Sequence, residues 1–160
     1  MKKIILFLLA GTVLYVGCAT NTSVAGAYTN KTECLGVELD GSQTVKAWGT
    51  GKDEVDAMEQ ALKNAVSDVI FNGITDGKSD CDSKPIVPEV NAQKKYETFF
   101  NGFFSDKGAY KKYVSVEDGR KNKQILKDQK SGRNTVTIGV SVRIQRVALK
   151  ENLVKEGIIK

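Results

Sequence analysis

The sequence predicts an α+β fold: two helices packed on an antiparallel sheet of about four strands, followed by a short C-terminal helix. Three observations lead there. An alanine-rich stretch with helical spacing follows a short strand. A second stretch carries aromatic residues at the same spacing. A long run, Thr135 to Ile144, alternates almost perfectly between apolar and polar side chains. Runs of helix followed by runs of strand favour helices layered on one face of an antiparallel sheet.

The chain starts with Met1-Lys2-Lys3, continues through an apolar stretch from Ile4 to Val16, and reaches Gly17-Cys18. A positive start, an apolar middle and a small residue before the cut make a secretory signal. A cysteine directly after the cut points to a bacterial lipoprotein signal with Cys18 as the lipidated residue. Gly17 fits that signal. Tyr15 departs from it, because leucine is more usual three residues before the cysteine, and Leu14 lies one place early. The apolar run is about 13 residues, short of the roughly 20 a membrane helix needs. Residues 1–17 therefore read as a signal peptide and 18–42 as a lipidated N-terminus and flexible tether, rich in Thr, Asn, Ser, Gly and Ala. Residues 43–160 read as a single α+β domain. The expected location is the bacterial outer membrane, lipid-anchored, facing the periplasm or the cell surface.

The elements follow in order. Thr44-Val45-Lys46-Ala47-Trp48 alternates as a short strand and runs into Gly49-Thr50-Gly51. A helix is expected from about Asp53 to Phe71, with Thr50 and Asp53 spaced as a capping box. Val55, Met58, Leu62, Ala65, Val66 and Val69 fall on one of its faces. Ala57, Ala61 and Ala65 recur every four residues, and side chains so small would let the helix lie close to a neighbouring sheet or helix. Gly73 is a natural stop. Residues 72–88 form a loop punctuated by Gly77, Pro85 and Pro88. A second helix is expected from about Glu89 to Phe104, with Tyr96, Phe99, Phe100, Phe103 and Phe104 along one face.

Three strands come next: Tyr110 to Val116, Asn122 to Lys127, and Thr135 to Ile144. A polar turn containing Gly132 separates the last two. In the third strand Val136, Ile138, Val140, Val142 and Ile144 face one way, and Thr137, Gly139, Ser141 and Arg143 face the other, so one face is buried. The short helix runs from Ala148 to Glu156 and ends at Gly157, with Leu149 and Leu153 as its anchors and Ile158-Ile159 packing beyond.

Composition limits function. Removing Lys2 and Lys3 from the 24 basic residues leaves 22 against 19 acidic, a net charge of +3 instead of +5. That is too mild to imply nucleic acid as a partner. The absence of histidine removes Ser-His-Asp and Cys-His nucleophile arrangements and any histidine-dependent metal site. No Ser-x-x-Lys element sits in a convincing strand-to-helix context. Cys34 and Cys81 form an even pair that an oxidising compartment would join; the alternative is two unpaired thiols. Asp76, Asp80 and Asp82 lie close together, but Lys78 and Gly77 break a calcium-loop register, so a solvated acidic turn is the better reading. Gly49-Thr50-Gly51 lacks the further residues of a phosphate-cradling loop and reads as a tight strand-to-helix connection. No catalytic group, metal site or cofactor is expected.

Two surfaces remain as candidates for interaction. One is the aromatic stripe Tyr96, Phe99, Phe100 and Phe103, for which a core role is the simpler reading. The other is the basic set Arg120, Lys121, Lys123, Lys127, Lys130 and Arg133 around the expected hairpin. Its simpler reading is a solvated, charged edge that discourages aggregation, and its functional reading is contact with anionic lipid or wall polymer.

Three stretches together resemble a known group. They are Ala47-Trp48-Gly49-Thr50-Gly51 with the helix carrying Ala57, Ala61 and Ala65; the alternating strand Val136 to Ile144; and the exit Arg146-Val147-Ala148-Leu149-Lys150-Glu151-Asn152-Leu153. With the lipoprotein signal, they resemble the twenty-kilodalton bacterial lipoprotein family and the N-terminal domain of flagellar assembly protein T. The resemblance implies a small α+β domain at the outer membrane with a structural or assembly role, not an enzyme. The expected partners are the membrane, through the lipid anchor, and a protein of the envelope. The alternative is an envelope binding module for a small ligand or an anionic surface polymer.

Overall fold

A computed structural model of the chain describes residues 31–117, 123–128 and 135–160, the segment 123–128 through its backbone. In chain order the elements are β1 (Glu33–Val37), β2 (Gln43–Gly51), α1 (Glu54–Ser67), β3 (Asp76–Gly77), α2 (Ala92–Lys95), α3 (Glu97–Phe103), β4 (Val114–Val116), β5 (Lys123–Asp128), β6 (Thr135–Ile144) and α4 (Arg146–Lys155). The strands form one mixed sheet in the order β3-β1-β2-β6-β4, with β5 also paired to β6. The fold is α+β. All described pairings are antiparallel except the two-residue β1–β3 contact.

β6 turns its apolar face inward as read, but its other face is buried too at Gly139, beneath the Trp48 ring, and at Ser141, and Val136 is half-buried. Ile138, Val140, Val142 and Ile144 are buried beneath α1, and β2 runs along the full length of one edge of β6, from Gln43 opposite Ile144 to Gly51 opposite Val136. The other edge is shared end to end. β4 lies opposite Val142–Ile144, and β5 lies opposite Thr135–Val140. The first two strands expected after the helices therefore occupy a single sheet position. The first is also shorter than expected, because Ala109–Lys112 winds into a 3-10 turn that puts Tyr110 in the core.

Helix α1 covers the sheet at close range. Ala57, Ala61 and Ala65 are fully buried against β2, while Val55, expected on the inner face, is 77% exposed. The glycines of β2 complete the contact. A Cβ at Gly49 would lie 2.2 Å from both the Ala57 carbonyl oxygen and the Ala61 nitrogen, and one at Gly51 would lie 2.5 Å from the Ala57 nitrogen. Both glycines thus belong to the strand and serve helix packing, not a connecting turn. The N-cap is Asp53, whose carboxylate accepts from the Val55 and Asp56 amides at 3.0 and 2.9 Å. Asp56 in turn accepts from the Lys52 amide at 3.0 Å. Thr50, expected in the cap, instead shares a 2.8 Å hydroxyl contact with Thr137 across the sheet.

The C-terminal end of α1 widens into a π-helical turn, Asp68–Asn72, closed by Gly73 at φ 75°. Its carbonyls are used by other segments. Val69 O accepts from the Ile86 amide at 3.1 Å, and Ile70 O accepts from the Val87 amide at 2.8 Å. The Arg146 side chain, at the start of α4, donates to the Lys84 carbonyl at 2.8 Å and to Asp82 at 2.9 Å. The loop from Cys81 to Val87 is thereby fixed to both helices. α4 closes as expected, with Leu149 and Leu153 buried and the Ile158 amide donating to the Leu153 carbonyl past Gly157.

Two expectations are corrected. The segment read as tether to residue 42 contains β1, and Cys34 is buried opposite Val45. A register shift between Cys34 and Gly36 breaks the alternation that would have marked this strand. The long second helix is two short ones, parted at Tyr96 (φ −110°, ψ 35°) and preceded by Asn91 in the left-handed region (φ 63°, ψ 16°). α1 alone among the described helices lies across the sheet. α3 packs ring against ring on Phe71 and Tyr113 instead.

Cys34 and Cys81 are joined as a disulfide, with Cα atoms 5.9 Å apart and a sequence separation of 47. Closing a loop of that length stabilises by about 4 kcal/mol in the chain-entropy model. Reduction with dithiothreitol should therefore lower the urea unfolding free energy by about that amount; an unchanged midpoint would show that the reduced chain keeps the loop closed by other means.

Gly49→Ala should destabilise by about 3 kcal/mol or more, since backbone atoms of α1 must move. Gly102→Ala should stabilise by roughly 0.5–1 kcal/mol, because a Cβ in this α3 position meets nothing within 4 Å. Urea unfolding midpoints of the two variants check the contrast.

Candidate functional site

The aromatic stripe is mostly interior. Phe100 and Phe103 are buried, and Tyr96, Phe99 and Phe104 are half-buried. Phe100 meets Phe71 edge to face with centroids 4.8 Å apart, Phe99 stacks on Phe103 at 5.6 Å, and Phe103 stacks on Tyr113 at 6.1 Å. These rings close the core where α1 ends, so Phe100 and Phe103 offer no surface. Tyr96 sits at the helix break with the Lys95 ammonium 5.0 Å over its ring. Of the basic set, Arg120, Lys121, Lys130 and Arg133 lie outside the described residues, as does Cys18. Lys123 and Lys127 fall on β5, in register with Val140 and Val136. The acidic turn is taken up by structure: Asp76 pairs with Lys31 at 3.4 Å and Asp82 with Arg146.

Two shallow polar cavities carry clusters that satisfy themselves. Arg143 stands 3.5 Å from both Glu38 and Glu117, and the Thr44 hydroxyl lies 3.1 and 3.4 Å from the same two carboxylates. A guanidinium already facing two carboxylates has little left for an anion. Beside Lys31, Asp68 accepts from the Thr32 hydroxyl and from the Asn72 amide at 2.7 Å.

The third cavity differs. It is a groove of about 730 Å³ between the π-helical turn and α2–α3, lined by Phe71, Val87, Pro88 and Val90 on its apolar side. Asn91, Gln93, Lys94, Glu97 and Asn101 line the rest. None of these five side chains makes a hydrogen bond or ion pair with any described residue. Glu89, at the rim, pairs with Lys95 at 2.7 Å. Val87 and Ala92 are buried and fix the floor, whereas Val90 is 84% exposed at the lip. Asn91 is the only non-glycine residue among those described with positive φ. Backbone strain of this kind collects where a surface is built for use. Sequence reasoning missed the groove. Its one local signal was Asn91 shortly after Pro88, since asparagine tolerates the left-handed region; which amides lack partners is decided only by tertiary placement.

A separate network ties α1 to the 3-10 turn. The buried Tyr110 hydroxyl donates to Glu59 at 3.0 Å, Lys111 lies 3.1 Å from the same carboxylate, and Lys63 bridges Glu59 and Asp106 at 3.8 and 2.9 Å. The hydrogen bond from Lys111, reinforced by Tyr110 and Lys63 and opposed by burial, holds Glu59 below its ordinary 4.5. Burial, followed by the Glu59 contact, pushes Tyr110 well above its ordinary 10.0.

These features define a small disulfide-linked α+β domain with a half-covered sheet and one open groove. No known protein family, curated protein or solved structure matches the chain.

Because Glu59 is depressed on folding, its contribution is present above about pH 4.5 and is lost as the pH falls through the folded value. Tyr110 is raised, so its contribution is complete below pH 10.0 and is lost as the pH rises past it. Urea midpoints should fall on both sides, and Glu59→Gln should shallow the acid limb. An acid limb of unaltered slope in that variant would exclude the network as its source.

Proposed function

We propose that the chain is a lipid-anchored protein of the bacterial outer membrane with a structural or assembly role, acting through protein contacts. The observation that carries this reading is the Cys34–Cys81 disulfide in a chain that also bears the Cys18 signal. Stable disulfides belong to oxidising compartments, so the bridge supports export independently of the N-terminal sequence. No helix among the described residues is long and apolar enough to cross a membrane. Membrane attachment on this reading falls to Cys18. The resemblance to the twenty-kilodalton lipoproteins and to the flagellar assembly domain supports the assembly role.

A second reading, an envelope binding module, draws support from the groove. Its unpaired side chains carry one cation and one carboxylate, Lys94 and Glu97, which favours a small ligand over an anionic polymer there.

Cys18→Ser should move the protein from the membrane fraction to the soluble envelope fraction of the producing bacterium. Retention with membranes after a high-salt wash would refute lipid anchoring. Crosslinking of the intact anchored protein in membranes should give a discrete heteromeric or homomeric band; a monomer throughout would refute the assembly role.

A further inference from the structure

We infer that the groove between the π-helical turn and α2–α3 binds a short, uncharged oligosaccharide. The inference deepens the binding-module reading and is independent of the anchor.

The size comes first. A cavity of about 730 Å³ falls among small-ligand sites, which run from roughly 300 to 1,000 Å³. Its chemistry is the selective part. Three primary amides, Asn91, Gln93 and Asn101, line one groove, and none of their side chains hydrogen-bonds a described residue. Each amide presents a donor and an acceptor side by side. A sugar hydroxyl also donates and accepts, so rows of hydroxyls match rows of amides without any net charge. Lys94 set against Glu97, and Glu89 already paired with Lys95, leave the site close to neutral. The apolar wall of Phe71, Pro88 and Val90 supplies the complementary half. Sugar rings have one face of C–H groups, and an aromatic ring beside an apolar lip receives such a face. Phe71 is held in place by its edge contact with Phe100.

An extended peptide is the competing ligand. It would require a free row of backbone groups or spaced deep apolar pockets. The groove offers one apolar wall and side-chain amides instead. An anionic polymer would require unpaired cations in excess, and the groove has a single lysine set against a carboxylate.

Asn91 makes the site testable apart from the fold. Its left-handed backbone (φ 63°) suits glycine better than any other residue, so stability alone would favour glycine here. Asn91→Gly removes the amide from the groove while easing the backbone.

The test is titration of the full chain with chitotetraose and with cellotetraose, followed by amide-resolved NMR. Saturable shifts are expected at Asn91, Gln93 and Asn101 with at least one of the two sugars. Asn91→Gly and Asn101→Ala should each weaken binding roughly fivefold, the equivalent of one net hydrogen bond. Asn91→Gly should do so with an unchanged or higher thermal midpoint. Four results would overturn the inference. They are no saturable binding of either sugar; binding that both variants leave intact; stronger binding of a blocked tetra-alanine peptide at the same residues; or preference for dextran sulfate over the neutral sugars. The assay requires no membrane, so its failure leaves the anchor reading untouched, and failure of fractionation leaves this one untouched.

Discussion

The distance between α1 and the sheet is the constraint on which the rest of the structure depends. Gly49 and Gly51 on β2 face Ala57 and Ala61 on α1, and no atom larger than hydrogen fits between them at Gly49. Close approach forms many small dispersion contacts but removes little apolar side-chain area from water. Larger residues must therefore supply the hydrophobic stabilisation elsewhere. They do so on β6, through Ile138, Val140, Val142 and Ile144, and at the far end of α1, through Val66, Val69, Ile70 and the aromatic group. The protein has a thin centre and a thick end.

The thick end explains the π-helical turn. A regular helix would direct the Val69 and Ile70 carbonyls along its own axis. The wider turn frees them to accept from Ile86 and Val87, and Arg146 adds its hydrogen bonds to Asp82 and the Lys84 carbonyl close by. Unpaired carbonyls at a buried helix end would be costly, so the loop functions as part of the helix cap. Cys81 sits just before that loop, and its bond to Cys34 carries the restraint to β1 and from there to the sheet.

What could be read from the sequence follows the same division. Period-two and period-four patterns reported β6 and the alanine stripe of α1, because both depend on one repeating neighbour. Gly73 and Gly157 reported helix ends, because positive φ is a local demand. The pattern failed where a second force acted. β1 was hidden by its register shift at Gly36 and by two-residue pairing with β3. The helix expected over residues 89–104 is interrupted at Tyr96 and starts late because Asn91 is left-handed, while the rings of its C-terminal part pack on Phe71, Tyr110 and Tyr113. The capping signal at Thr50 was real chemistry at the wrong place: β2 runs on through Gly51, so the cap falls to Asp53. Of the stripe, Phe100 and Phe103 are core while Tyr96 and Phe99 are half-buried against it, and the groove left no periodic trace because its lining comes from a loop, two short helices and one ring.

That mixed origin bears on how the groove could operate. One wall hangs from the carbonyls of the π-helical turn through Ile86 and Val87. The other is set by α3, whose Phe100 and Phe103 are locked in the aromatic group. Between them the chain runs from Pro88 to Asn91, and the left-handed Asn91 turns it into α2. The spacing of the groove's walls is thus set by buried contacts, among them those of its own Val87 and Ala92 and of Phe71 on Phe100, whereas its polar side chains make no hydrogen bond or ion pair with a described residue. Rigid walls spare a ligand part of the entropy of ordering the site on binding. The polar part of the lining, which makes no hydrogen bond or ion pair with a described residue, is also free to change its ligand without changing the fold.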